Sequence, residues 1–157
     1  MKRNEQEEIV YAPLCGRLLP LCEVADEVFS QGILGEGVAI VPSLGELYAP
    51  TDGKVTSVFE SGHALTLQSD GGAELLLHVG LETVRLQGKG FTVEVQTGER
   101  VRRGQRLLSF DMAGIRAAGC DLTTPMVISG SSHLISSVTQ AATVDKDTPV
   151  MTLKRRK

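Results

Sequence analysis

The sequence predicts an all-β fold, namely an antiparallel β-sandwich or barrel-like single domain with short helical turns. Many short segments rich in Val, Leu, Ile and Thr follow one another, separated by Gly, Pro, Asp or Ser. Strands at this close spacing are typical of sandwiches and barrels. Asp52-Gly53 and Asp70-Gly71-Gly72 supply residues that tolerate positive φ, as tight turns between such strands require.

The predicted strands alternate with these turn residues along the chain. In order they cover residues 37–41, 54–59, 64–68, 74–79, 91–95, 106–110, 126–129, 141–144 and 150–153. Pro42, Pro50 and Pro149 lie at the ends of such segments or beside them, where a missing backbone donor costs least.

Helix is a minor part of the predicted fold. Asp111 has the side chain of an N-cap and precedes a helix predicted over residues 112–118, with Gly119 as its left-handed stop. A further helical turn is predicted near residues 23–29. Neither segment is periodic enough to carry the fold.

One domain is expected from a chain of 157 residues. The predicted boundaries are a flexible N-terminal tail over 1–8, a domain over 9–153 and a basic C-terminal tail over 154–157. The triplet Tyr11-Ala12-Pro13 recurs as Tyr48-Ala49-Pro50, which indicates one local shape used twice in a pseudo-symmetric sandwich. The Met start and the short tail favour a standalone protein.

Composition excludes several classes of function. The formal net charge of -3 argues against a general nucleic-acid binder, and the absence of Trp argues against a base-stacking platform. The sequence shows neither the apolar core of a signal peptide nor an apolar run of membrane-spanning length. Cys15, Cys22 and Cys120 form no C-x-x-C pair, which predicts free thiols in a reducing compartment and hence a cytoplasmic location.

Two histidines on predicted strands give the strongest indication of chemistry. His78 lies in the apolar run from Leu75 to Gly80, which favours its neutral imidazole. His63 opens another apolar segment. If the two strands form a hairpin around Asp70-Gly71, antiparallel pairing puts residue 63 opposite residue 78 and brings the imidazoles together.

Three interpretations of this pair are open. His78 alone fits a core histidine whose nitrogens bond to backbone groups. A zinc site needs at least three protein ligands, and the remaining histidine, His133, lies in a predicted loop, so no metal is expected unless His63 and His78 share a zinc with a carboxylate of a partner. Covalent phosphoryl transfer needs no metal and no other cofactor: one imidazole attacks phosphorus, and the other donates a hydrogen bond to the phosphoryl oxygens.

Seven segments along the chain carry a recognisable pattern, namely GVAIVPS (37–43), APTDG (49–53), GHA (62–64), LHVGLETV (77–84), LQGKGF (86–91), SFD (109–111) and LTTP (122–125). In these segments the chain resembles the glucose and β-glucoside type IIA domains of the bacterial phosphotransferase system. The resemblance extends from Tyr11 to Val150.

The resemblance implies a β-sandwich with a shallow depression that holds both histidines. It implies that His78 accepts the phosphoryl group of phospho-HPr through Nε2 and passes it to a cysteine on the IIB domain of a sugar permease. His63 would stabilise the phosphoryl group, and Ser61, where some branches have Thr, would orient an imidazole through its hydroxyl. Phosphorylation of His78 would also change the choice among regulatory protein partners.

Two successive partners imply a dry docking patch with a charged rim around the histidines. Its predicted members are Val38, Ile40, Phe59, Leu65, Leu76, Glu82 and Asp111. Glu82 stands where the family commonly has Asp, and residues 130–132 and 145–147 also depart from the family pattern. These departures bear on partner affinity more than on chemistry.

Two other classes compete with this interpretation. Residues 98–107 have the strand-turn pattern of a biotinyl or lipoyl carrier, and Asp145-Lys146 mimics a lipoyl-lysine turn. That hypothesis leaves both histidines unexplained. A zinc peptidase on a related β scaffold needs further ligands, which the sequence lacks.

Overall fold

The computed structural model describes residues 7–156, which form an antiparallel β-sandwich with few short helices. The strands are β1 (Glu7–Tyr11), β2 (Gly16–Pro20), β3 (Glu36–Pro42), β4 (Glu46–Tyr48), β5 (Gly53–Val58), β6 (Ala64–Ser69), β7 (Glu74–His78), β8 (Phe91–Val93), β9 (Arg100–Val101), β10 (Arg106–Phe110), β11 (Thr124–Ser129), β12 (His133–Val138), β13 (Thr143–Val144) and β14 (Pro149–Arg155). The helices are α1 (Glu27–Ser30) and α2 (Met112–Ala117), and 3₁₀ turns cover Leu21–Glu23 and Thr83–Leu86.

The strands are arranged in three sheets. The largest has the order β13-β2-β3-β11-β7-β6-β5-β9, and two three-stranded sheets have the orders β1-β14-β12 and β4-β10-β8. The paired strands are antiparallel throughout. The predicted all-β sandwich is confirmed.

The large sheet is covered by apolar residues on both faces around β7. Leu75 and Leu77 belong to the main core, whereas Leu76 belongs to a smaller cluster that includes Phe29 of α1. Side chains two apart on a strand share a face, so His78 lies on the face of Leu76, outside the main core. The sequence of β7 is almost entirely apolar because both faces of the strand are buried.

The two Tyr-Ala-Pro triplets form a reciprocal contact. The amide of Tyr11 donates to the carbonyl of Pro50 (2.9 Å), and the amide of Tyr48 donates to the carbonyl of Pro13 (2.7 Å). The repeat therefore joins the two halves of the sandwich through equivalent hydrogen bonds, as its recurrence in the sequence suggested.

Several strands were missed by the sequence prediction, namely β1, β2, β4, β9 and β12. β4 and β9 are short, and β12 is a Ser-rich edge strand with several exposed positions, so neither length nor alternation marks them. His133, expected in a loop, begins β12 and is buried. Helix α2 agrees with the prediction, because Asp111 accepts from the amide of Gly114 and Gly119 has positive φ.

Strand pairing reaches into both predicted tails. Glu7 pairs with Lys154 and Glu8 with Leu153 at the edge of the β1-β14-β12 sheet. Residues 1–6 and 157 of those tails lie outside the described residues. Within residues 7–156, no helix has the length and apolar character needed to cross a membrane.

Candidate functional site

Both candidate histidines lie at the open end of the β6–β7 hairpin. The turn contains Asp70-Gly71-Gly72 as predicted, but Ser69 pairs with Ala73, so Ala64, not His63, lies opposite His78. The predicted register is therefore wrong by one residue. His63 precedes β6, and Gly62, with φ of 74°, turns the chain there. The ring centroids of His63 and His78 nevertheless lie 5.0 Å apart, in an edge-to-face arrangement.

A backbone carbonyl fixes the tautomer of His78. Its Nδ1 lies 2.7 Å from the carbonyl oxygen of Gly80, which can only accept, so Nδ1 carries the proton. The Nε2 of the neutral ring therefore keeps its lone pair. Phe29 packs against the same ring, with centroids 5.2 Å apart.

The turn after β7 is built to place that carbonyl. Gly80 has φ of 75°, and a Cβ there would lie 2.6 Å from Cγ2 of Thr83 and 2.9 Å from the carbonyl oxygen of Asp121. The hydroxyl of Thr83 donates to the carbonyl of Val79 (2.6 Å) and closes the turn. Glycine is thus required by conformation and by space.

His63 is the more deeply buried of the two imidazoles. It is 3% exposed, and its Nδ1 is buried with no hydrogen-bond partner among the described residues. The ring of Phe59 meets it edge-on at 5.5 Å. Burial, with a smaller contribution from His78, lowers the pKa of His63 to about 4.

His78 is also held neutral. Burial lowers its pKa below the usual value near 6.5, while the Gly80 carbonyl and the carboxylate of Asp26 oppose that shift. Both rings are therefore uncharged at pH 7. A neutral imidazole with a free nitrogen lone pair is the form that attacks electrophiles.

A polar cleft of about 470 Å³ is lined in part by Leu81 and Glu82, which follow His78 in the chain. Asp26, whose charge acts on His78, contributes to its wall. The other lining residues are Ala25, Glu27, Arg85, Gly119 and Asp121. Carboxylates outnumber cations in the lining of this cleft.

The structure corrects part of the predicted docking patch. Val38, Ile40 and Leu65 are at most 2% exposed and belong to the main core, so the prediction that they contact a partner is wrong. Strand alternation points them into the sandwich, and sequence alone did not show which face was covered. Leu76 is on the site face but is buried in the smaller cluster with Phe29, so it too offers almost no surface to a partner.

The remaining predicted patch residues are accessible. Phe59 is 40% exposed and contacts His63, and Glu82 lines the cleft. Asp111 is exposed and caps α2. Val28 and Val84, which the prediction omitted, are exposed apolar residues on α1 and the Thr83–Leu86 turn.

Ser61 is half-buried, and the structure shows no hydrogen bond from its hydroxyl to either imidazole within the described residues. The group that orients His78 is instead the carbonyl of Gly80, which the sequence prediction missed. The sequence did contain a signal for this contact, because a glycine two residues after a histidine in an apolar run allows the chain to turn back towards the ring.

Two observations concern the residues named for the alternative chemistries. Within residues 7–156, no group of three or more His, Cys, Asp or Glu side chains is placed to hold a metal ion. Lys146, the residue that a lipoyl-type carrier would modify, is half-buried with its Nζ 3.6 Å from the carboxylate of Asp147.

Comparison with known proteins identifies the family. A family model described as the phosphoenolpyruvate-dependent sugar phosphotransferase system, EIIA 1, matches residues 8–134. The glucose-specific EIIA component of Oceanobacillus iheyensis is 44% identical over 135 residues, which is 85% of this chain and 82% of that protein. The β-glucoside-specific EIIBCA component of Dickeya chrysanthemi is 52% identical over 126 residues, or 80% of this chain. The chain spans only 20% of that longer relative.

A solved structure shares the fold. Glucose permease IIA from Mycoplasma capricolum superposes with a TM-score of 0.87 at 32% sequence identity, covering 93% of this chain and 95% of that one. The similarity spans the sandwich and the hairpin that carries both histidines, so the resemblance seen in the sequence is confirmed. The chain therefore belongs to the glucose-type EIIA family of the phosphoenolpyruvate-dependent sugar phosphotransferase system, a family of phosphocarriers in sugar uptake.

Proposed function

We propose that Nε2 of His78 accepts a phosphoryl group from phospho-HPr and passes it to a cysteine on the IIB domain of a sugar permease. The observation that carries this assignment is the hydrogen bond between Nδ1 of His78 and the Gly80 carbonyl, because it leaves the lone pair on Nε2. The family membership of the chain supports the donor and the acceptor. We place both steps in the cytoplasm, the location that the three unpaired cysteines of the sequence predict.

The transfer balances without an added acid or base. The Nε2 lone pair attacks phosphorus, an N–P bond forms, and the bond between phosphorus and the donor's histidine breaks with its electrons returning to that ring. The proton stays on Nδ1 and is donated to the Gly80 carbonyl, which stabilises the positive charge that the phosphorylated ring acquires. In the second step a thiolate attacks phosphorus, and Nε2 recovers its lone pair.

His63 acts as the supporting group in this proposal. A buried Nδ1 without a partner is less costly as a bare acceptor than as an unsatisfied N–H donor, which favours the tautomer with the proton on Nε2. An Nε2–H next to His78 donates to a phosphoryl oxygen and is not consumed. We propose Ser61, two residues earlier, as a hydroxyl that orients an imidazole.

The proposal is tested by intact-mass analysis after incubation with phosphoenolpyruvate, enzyme I and HPr. The wild type should gain one acid-labile phosphoryl group, and His78→Ala should gain none. His63→Ala should still be phosphorylated, but its phosphoryl group should pass to a IIB domain at least about tenfold more slowly, since one charge-assisted hydrogen bond is lost. A folded wild type that gains no mass, or a His78→Ala variant that still gains it, contradicts the assignment.

A further inference from the structure

The peptide bond between Gly80 and Leu81 is held at both of its polar atoms. Its oxygen accepts from Nδ1 of His78 (2.7 Å), and its N–H donates to the carbonyl of Asp121 (2.8 Å). Hydrogen bonds at the two ends of one peptide polarise each other, so the Asp121 carbonyl strengthens the acceptor that faces the imidazole. The position of this peptide therefore affects both the orientation of the ring and the charge that the ring can carry.

The amide of Gly80 is held by a side chain. It donates to Oγ1 of Thr124 (3.4 Å) and, in the part of the chain that the structure describes, to no other acceptor. Thr124 is fully buried, and its own hydroxyl donates to the carbonyl of Leu122 (2.9 Å). The oxygen therefore presents a lone pair to Gly80. A buried amide without an acceptor is unfavourable, so the loss of this oxygen would move the turn after β7.

Thr124 lies where the backbone pairing of β7 with β11 ends. The last pair of that ladder is Met126 with Leu77, and the chain of β7 turns away at Gly80 soon after it. The hydroxyl of Thr124 continues the connection beyond the ladder. On its other side β11 pairs with β3, where Thr124 is opposite Ile40. The side chain that holds the turn thus belongs to an inner strand of the large sheet.

We infer that Thr124 is a positioning residue for phosphoryl transfer: its hydroxyl holds the turn after β7 so that the Gly80 carbonyl meets Nδ1 of His78. This inference rests on the proposed function, because it takes Nε2 of His78 as the phosphoryl acceptor. Thr124 is fully buried, so it offers no surface to a docking protein. Its effect should therefore fall on the rate of the transfer step and not on the affinity for a partner.

Thr124→Val removes the hydroxyl and keeps the branched shape of the side chain. Under saturating phospho-HPr, rapid-quench measurements should show phosphorylation of this variant slowed about tenfold, because the carbonyl that orients His78 is no longer fixed. The phospho-HPr concentration that gives half of the maximal rate should not change. Two-bond nitrogen–proton correlation spectra of the resting variant should show a smaller fraction of His78 with protonated Nδ1 than in the wild type.

Thr124→Ser and Thr124→Ala separate the hydroxyl from the packing. Serine keeps the hydroxyl but loses a buried methyl group, so Thr124→Ser should transfer at nearly the wild-type rate if the hydroxyl matters, and more slowly than Thr124→Val if only packing matters. Serine and alanine differ by the hydroxyl alone. Thr124→Ala should therefore be slower than Thr124→Ser, a comparison that decides the inference even if Thr124→Val does not fold.

Thr51→Val is the matched control. Thr51 is buried as well, but its Oγ1 has no hydrogen-bond partner among the described residues, so the loss of that hydroxyl should leave the transfer rate unchanged. Slower transfer in Thr124→Val, with rescue by Thr124→Ser and no change in Thr51→Val, supports the inference. A folded Thr124→Val variant with the wild-type rate and the wild-type His78 spectrum overturns it, as does a Thr124→Ser variant no faster than Thr124→Ala. If the wild type is never phosphorylated, the proposed function is wrong, and the His78 spectra alone decide whether Thr124 positions the ring.

Discussion

At the residue scale, the proposed chemistry depends on two imidazoles that burial keeps neutral. His63 has no hydrogen-bond partner for its Nδ1, whereas the Gly80 carbonyl and Asp26 partly oppose the lowering of the pKa of His78. Neutral rings can attack phosphorus or donate to its oxygens without first losing a proton. The cost of this arrangement is a site whose stability depends on pH.

The pH dependence of stability follows from the lowered pKa of His63. Folding lowers this pKa from about 6.5 to about 4, so the unfolded chain binds the proton more readily than the folded one. The contribution of this pKa difference to the free energy of unfolding is complete above pH 6.5. It should be lost as the pH falls towards 4, by at most about 3 kcal/mol. His63→Gln should flatten the decline between these pH values in denaturant titrations. If the unfolding free energy of the variant falls with pH as steeply as that of the wild type, His63 is not the group responsible for the decline.

At the scale of the element, the β6–β7 hairpin and the turn after it place the chemistry. The hairpin brings the two rings together at one end, and the turn closed by Thr83 returns the Gly80 carbonyl to His78. The sequence allowed this hairpin to be predicted, because its apolar segments and the Asp-Gly-Gly turn are both local signals. The register was wrong by one residue because pairing starts at Ser69 and Ala73, which depends on the turn's hydrogen bonds.

Gly80→Ala tests this turn. The substitution imposes positive φ on alanine and places its Cβ against Thr83 and the backbone of Asp121, so we expect a loss of about 3 kcal/mol in unfolding free energy. Phosphoryl transfer should slow as well, because the carbonyl that holds His78 must move.

Gly98→Ala is the matched control for Gly80→Ala. Gly98 also has positive φ, at 92°, but a Cβ there would meet nothing within 4 Å. Gly98→Ala should lower the unfolding free energy by only about 1 kcal/mol and leave the rate of phosphoryl transfer unchanged. If urea unfolding gives equal losses of unfolding free energy for the two variants, the close contacts around Gly80 do not affect stability.

At the scale of the whole molecule, the main core covers one face of the large sheet, and the smaller cluster with Phe29 covers the face of Leu76 and His78. The composition and spacing of strands predicted the sandwich, and the apolar setting of His78 predicted a neutral ring. Alternation alone could not show which residues face inward. For this reason the predicted docking patch includes Val38, Ile40 and Leu65, which the sandwich encloses. β12 was missed because an exposed, Ser-rich edge strand has no apolar pattern, and its place depends on β14.

In the proposed mechanism, His78 carries its proton on Nδ1 and its phosphoryl group on Nε2. Two-bond nitrogen–proton correlation spectra of the ¹⁵N-labelled protein, recorded at neutral pH before and after phosphorylation, test both assignments. We expect a neutral His78 with protonated Nδ1, followed by phosphorylation at Nε2. A resting ring protonated on Nε2, or a phosphoryl group on Nδ1, would show that the mechanism is wrong.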